Sequence, residues 1–147
     1  MSHTCKNLLI RCMDFRLNGE VEKWVKRSSL FEGGFDVISL AGASKDLAAS
    51  AVPIDGSEEI KNNFLKHIGV SVNLHQAEKI IIFHHSDCGA YAQDYQFDSP
   101  QEEKEKQLED MKKAKAAILE RYSEVKVVLV WGELKNDKGD EIEFEII

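Results

Sequence analysis

The chain has three cysteines and two prolines among its 147 residues. Three thiols cannot all pair within one chain, which argues against a disulfide framework and for a reducing compartment. So little proline beside a hydrophobic share of 43% leaves no room for a long disordered tail. Basic side chains are also in deficit: 19 Lys and Arg stand against 26 Asp and Glu, a net charge of −7. That balance excludes nucleic acid or an anionic membrane surface as the expected partner. Apolar runs such as Val127 to Trp131 fall far short of the roughly 18 residues a membrane span needs. The opening Met1-Ser2-His3-Thr4-Cys5 lacks the charged-then-apolar pattern of a leader, so the cytoplasm is the expected location. There is no C-x-x-C pair of the thioredoxin kind, and Cys12 and Arg16 stand too close for the anion-cradling loop of a cysteine phosphatase.

What is present alternates between two periods. Asn7 to Cys12, Phe35 to Leu40, Lys79 to Phe83 and Val125 to Trp131 read as buried strands. Between them lie helical patterns. Asn18 is placed to cap a helix carrying Val21, Trp24 and Val25, which Gly33-Gly34 ends. Asp55 with Glu58 resembles a capping box ahead of Ile60, Phe64, Leu65, Ile68 and Val72. Ser99-Pro100-Gln101-Glu102 is a stronger helix start, with a run to about Tyr122 that turns Leu108, Met111, Ile118 and Leu119 inward. The small-residue stretch from Ala41 to Ile54 carries no readable element. After a turn at Asn136 to Gly139, Ile142, Phe144 and Ile146 alternate with glutamates. No repeat or linker divides residues 1–147, which read as a single domain of α/β class. Its expected form is a mainly parallel central sheet with flanking helices and an antiparallel edge strand at the C-terminus.

In an open parallel sheet, ligands bind beyond the carboxyl ends of the strands. Two strands end there in chemically loaded sequences: Cys12-Met13-Asp14-Phe15-Arg16 and His84-His85-Ser86-Asp87-Cys88-Gly89. Singly, each residue has an ordinary explanation: Cys12 as core packing, Asp14 with Arg16 as a rim ion pair, the histidine as a hydrogen-bonded strand end. Together, two thiolates and an imidazole suit zinc, and three protein ligands leave one position open for water.

These segments resemble the C-x-D-x-R and H-x-x-C-G motifs of the β-class carbonic anhydrases, and Val130-Trp131-Gly132 with the turn at Asp137 and Gly139 is similar to that family's closing hairpin. The resemblance implies that Cys12, His85 and Cys88 bind Zn²⁺. It implies that Asp14 takes a hydrogen bond from zinc-bound hydroxide and that Arg16 holds Asp14. It also implies reversible hydration of CO₂ to bicarbonate and a homodimer. In some members the aspartate takes the fourth zinc position. The spacing selects His85 over His84, since strand alternation points the two oppositely. His84 and Tyr91 are candidate proton carriers by proximity in sequence. A related linear substrate, COS or CS₂, and a non-catalytic zinc-binding module are the alternatives; Asp14 and Arg16 stand against the latter.

Two departures from the family accompany the match. Ser39-Leu40-Ala41-Gly42 keeps only the Ala-Gly end of the family's Arg-Asn-Ala-Gly stretch, and Lys45 to Gly56 is extra, as a lid, an interface segment or a loop. The sequence opens almost on its first strand, so a dimer is expected to form without the N-terminal helical arm that many members wrap around a partner.

Overall fold

The computed structural model describes residues 3–48 and 56–147. Its strands are β1 (Asn7–Cys12), β2 (Phe35–Leu40), β3 (Lys79–His85), β4 (Lys126–Leu134) and β5 (Ile142–Ile146). The α-helices are α1 (Asn18–Arg27), α2 (Ser57–Gly69), the short α3 (Gly89–Asp94) and the long α4 (Pro100–Arg121). One five-stranded sheet runs in the order β2-β1-β3-β4-β5. β1 lies parallel to both β2 and β3, β3 lies parallel to β4, and β5 returns antiparallel along β4. The expected architecture therefore holds, including the antiparallel edge strand.

The reason lies in the apolar runs. Leu8, Leu9 and Ile10 of β1, Ile80 to Phe83 of β3 and Val127 to Trp131 of β4 are all buried, as central strands covered on both faces must be. β2 reads much the same in sequence but behaves differently: Phe35 is 36% exposed, Val37 51% and Leu40 39%. It is an edge strand with one neighbour, so an apolar run does not here mean cover on both faces. At the other edge, Trp24 of α1 stacks on Phe144 of β5 at 4.5 Å between ring centroids and meets Phe31 edge-on at 4.9 Å.

Helix ends follow the expected chemistry unevenly. Ser99 Oγ accepts from the Glu102 amide at 3.1 Å, as its position predicts. Glu102 reaches past the cap, however, to the Asp98 amide. Asn18 is the first residue of α1 rather than its cap. Its Oδ1 instead accepts from Arg11 at 2.9 Å, because the Phe15–Leu17 turn already leads the chain into the helix. Asp55 and most of the stretch from Lys45 to Gly56 lie outside the described residues; within it, Lys45–Leu47 forms a short 3₁₀ turn and Gly56 precedes α2. On α4, Met111 and Ile118 are buried as expected, whereas Leu108 and Leu119 are only partly covered. Among the described residues no helix is long and apolar enough to cross a membrane.

Candidate metal centre

Parallel strands β1 and β3 end side by side, so the segments that follow them meet. Cys12 is the last residue of β1, His85 the last of β3, and Cys88 opens α3 three residues later. Their ligand atoms lie within 4.8 Å of one another, and all three residues are buried. His85 Nδ1 donates to the Ser86 carbonyl at 2.8 Å, which fixes the tautomer and leaves the Nε2 lone pair free. That Nε2 is buried with no hydrogen-bond partner. An unpartnered buried nitrogen beside two sulfurs is costly unless something binds it.

A hydrogen bond from Cys88 pulls the Cys12 pKa well below the ordinary thiol value; burial opposes this, while His85 and the amides of Asp14 and Gly42 assist. The same bond and burial push Cys88 upward. The Gly42 amide donates to Cys12 Sγ at 3.4 Å, so the surviving Ala-Gly end has a direct task. Gly42 stands at φ 75°, where a Cβ would press on Lys45, which explains glycine at this position. A set of two thiol sulfurs and one imidazole nitrogen fits zinc, with a fourth position left to another ligand.

Asp14 lies at the edge of this group, its Oδ2 3.9 Å from His85 Nε2. Arg16 grips it: Nη2 donates to Oδ2 at 2.7 Å, Nε to both oxygens at 3.1 Å, and the Arg16 amide to Oδ1 at 3.0 Å. These bonds, outweighing burial, hold the Asp14 pKa below the usual carboxylate range. Arg16 is itself fixed by Asp87, through its side chain and its carbonyl, both at 2.8 Å. Asp87 can offer both because it adopts left-handed backbone, φ 55°. From the far side, Gly139 presses so closely that any Cβ there would collide with the Arg16 carbonyl.

Residues that sequence reasoning did not single out complete the setting. Glu103 of α4 accepts from the Asp87 and Cys88 amides at 3.0 and 2.9 Å. Gln107, one turn on, donates to the His85 carbonyl and to Glu103, both at 2.9 Å, and accepts from His84 Nδ1 at 2.9 Å. Ser44 meets His84 Nε2 at 2.7 Å. A signal for Gln107 did exist: it falls on the same helical stripe as the buried Met111, Ala114 and Ile118, a polar residue on an apolar face. Neither candidate proton carrier reaches solvent. His84 is fully buried, and burial pushes its pKa down to about 4. Tyr91 is buried with its hydroxyl donating to Asp110 at 2.9 Å. Both are internal struts. Beside Cys88 and Glu103 opens a cleft of about 790 Å³, walled by Tyr95, Phe97 and Leu134.

Comparison with known proteins settles the lineage. A family model described as "Putative carbonic anhydrase" matches residues 2–140. The chain belongs to the carbonic anhydrase family. Two relatives, both uncharacterized proteins, come from Rickettsia: one from Rickettsia bellii is 34% identical over 123 residues, covering 82% of this chain and 71% of that protein. The other, from Rickettsia conorii, is 32% identical over 123 residues, covering 82% of this chain and 63% of its own length. Among solved structures, a β-carbonic anhydrase from Trichomonas vaginalis superposes with a TM-score of 0.62 at 13% identity, covering 99% of this chain and 84% of its own. A carbonic anhydrase from Streptococcus mutans gives 0.53 at 16%, with 97% and 82% covered. The fold is that of the β-carbonic anhydrases, in a divergent sequence.

Proposed function

We propose that this chain is a zinc-dependent carbonic anhydrase that interconverts CO₂ and bicarbonate. The observation that carries the reading is the buried Cys12, His85 and Cys88 group, with His85 Nε2 unpartnered and the Asp14 carboxylate 3.9 Å from it. Cys12, His85 and Cys88 would hold the metal, which would supply Lewis acidity that brings a bound water's pKa down to roughly 7. Two thiolates balance its charge.

The rest falls to the protein's own groups. Asp14, kept ionised by Arg16, accepts the hydrogen bond of the attacking oxygen and so aims a lone pair at the substrate carbon. Arg16 prevents that carboxylate from swinging into the ligand set, because its guanidinium already occupies both oxygens. Glu103 and Gln107 position the Cys88 amide and the His85 carbonyl, so the ligands stand ready. A structural zinc site would need none of the Asp14, Arg16 and Asp87 chain.

We further propose a cytoplasmic homodimer. Free thiols in the ligand set suit a reducing compartment, and the apolar edge of β2 is a surface that natural sheets cover. Light scattering at micromolar concentration should return twice the 16.6 kDa chain mass; the single-chain mass would refute the dimer. The enzymatic test is stopped-flow CO₂ hydration on protein whose zinc has been counted in the same preparation. Zinc-dependent turnover supports the reading. Zinc without CO₂ turnover, but with COS or CS₂ hydrolysis, replaces the substrate.

A further inference from the structure

A second group of metal-ligating side chains stands at the opposite end of the sheet. Cys5 lies two residues before the start of β1, Asp36 is the second residue of β2, and His75 follows the π turn Val70–Leu74 beyond α2. Their ligand atoms also lie within 4.8 Å of one another. Seven residues of extended chain from Cys5 to Cys12 put the two groups about 23 Å apart, at about 3.3 Å per residue. No residue is shared.

The arrangement differs from a catalytic triad. His75 Nδ1 donates to Asp36 Oδ2 at 2.7 Å, and the Cys5 thiol turns to that same oxygen at 3.4 Å. The thiol therefore faces a carboxylate rather than an imidazole base, and burial with the Asp36 bond raises its pKa. A nucleophilic cysteine needs the reverse environment. Cys5 Sγ lies equally close, 3.4 Å, to the Asn7 carbonyl, so hydrogen bonds alone hold together three groups that are all good ligands. Ser71 Oγ, on the π turn, is buried without a well-formed hydrogen bond, beside Asp36. The His3 ring lies beside His75, tilted by 56° with 4.8 Å between centroids. A cavity of about 510 Å³, lined by Asp36, His67, Ser71 and His75, gives access.

We propose that Cys5, Asp36 and His75 form a second, non-catalytic binding site for a divalent cation of the zinc class. A thiolate, a carboxylate and a neutral imidazole around a doubly charged ion make an electroneutral set. On binding, the Cys5 proton leaves to solvent and the His75 proton moves from Nδ1 to Nε2, so that sulfur, oxygen and nitrogen each present a lone pair. The ion fastens the segment before β1 to β2 and to the end of α2, adding to the Cys5 amide's 2.9 Å bond to the His75 carbonyl.

The test counts metal in the full-length protein after dialysis against micromolar zinc, with cobalt(II) as an optical probe. Two zinc per wild-type chain, falling to one in Cys5→Ser and in Asp36→Asn with CO₂ hydration unchanged, supports the site. Cobalt-thiolate absorption should fall in Cys5→Ser and persist in part in Cys88→Ser. One zinc in wild type, still one in Cys5→Ser and none in Cys88→Ser, overturns this site and leaves the proposed function standing. If Cys88→Ser keeps as much zinc as wild type while Cys5→Ser loses one, the second site stands and the ligand set of the proposed function falls.

Discussion

At the carboxyl end of the sheet, Cys12, His85 and Cys88 meet, and the groups around them are tied: Asp14 by Arg16, Arg16 by Asp87, the Cys88 amide by Glu103 and the His85 carbonyl by Gln107. At the amino end, Cys5 and His75 both lean on one oxygen of Asp36. The donor types are nearly the same; the difference is scaffolding. α4 supplies Glu103 and Gln107 to the first group, and the 3₁₀ turn after β1 supplies Arg16. The second group receives the Asn7 carbonyl, Ser71 and a tilted His3 ring, with no long helix behind it among the described residues to match α4. Preorganisation separates a place where chemistry can be run from one where an ion can merely be held.

Four measurements would break or sharpen that contrast. The largest effect is expected at Cys88: Cys88→Ser should abolish CO₂ hydration and remove the carboxyl-end zinc, read by metal analysis and stopped flow together. Asp14→Asn should keep that zinc while kcat falls about 10²-fold or more, the scale of a positioned proton-accepting group. Equal turnover in Asp14→Asn and wild type would remove Asp14 from the reaction.

The next concerns stability. Gln107→Leu strips partners from His84, the His85 carbonyl and Glu103 at once, and should cost about 2 kcal/mol in urea unfolding. Ser71→Ala at the amino end removes a hydroxyl without a well-formed bond and should change metal-free stability by under about 0.5 kcal/mol. Comparable costs would erase the contrast.

pH gives the fourth. His84 is held neutral to about 4, whereas the unfolded chain takes up that proton near the ordinary 6.5. The unfolded state therefore binds more protons between these values, and stability falls as pH drops through that window, then levels off below about 4. The shift allows about 3 kcal/mol in the metal-free protein. His84→Gln should flatten the slope, measured as the urea midpoint against pH.

Much of this was legible before any coordinates. The ends of β1 and β3 carry their ligands within a few residues of strand signals, so Cys12, His85 and Cys88 can converge once β1 and β3 lie side by side, a strand order that the fold supplies. The alternation that turns His84 away from His85 is equally local. What escaped was whatever depends on docking. Gln107 was marked by its place on the buried stripe but its partners were not, and no short-range pattern says that Glu103 of a charged helix will reach an amide 15 residues away. His84 looked like a proton carrier because nearness in sequence says nothing about burial. The exposure of β2 was hidden for a related reason: Phe35 to Leu40 reads as apolar whether one neighbour stands beside it or two. Asn18 shows a competition lost locally, its side chain engaged by Arg11 while the preceding turn does the capping.

The close approach of Gly139 to the Arg16 carbonyl joins the last-made part of the chain to one of the first. Cys12, Asp14, Arg16, His85 and Cys88 have all been made before the hairpin of β4 and β5 exists. Until that hairpin is made, the arginine that grips Asp14 lacks the backbone it packs against in the folded chain. Under the proposed function, metal capture would then come before catalytic competence, and a pulse-labelled chain should acquire zinc before it acquires turnover.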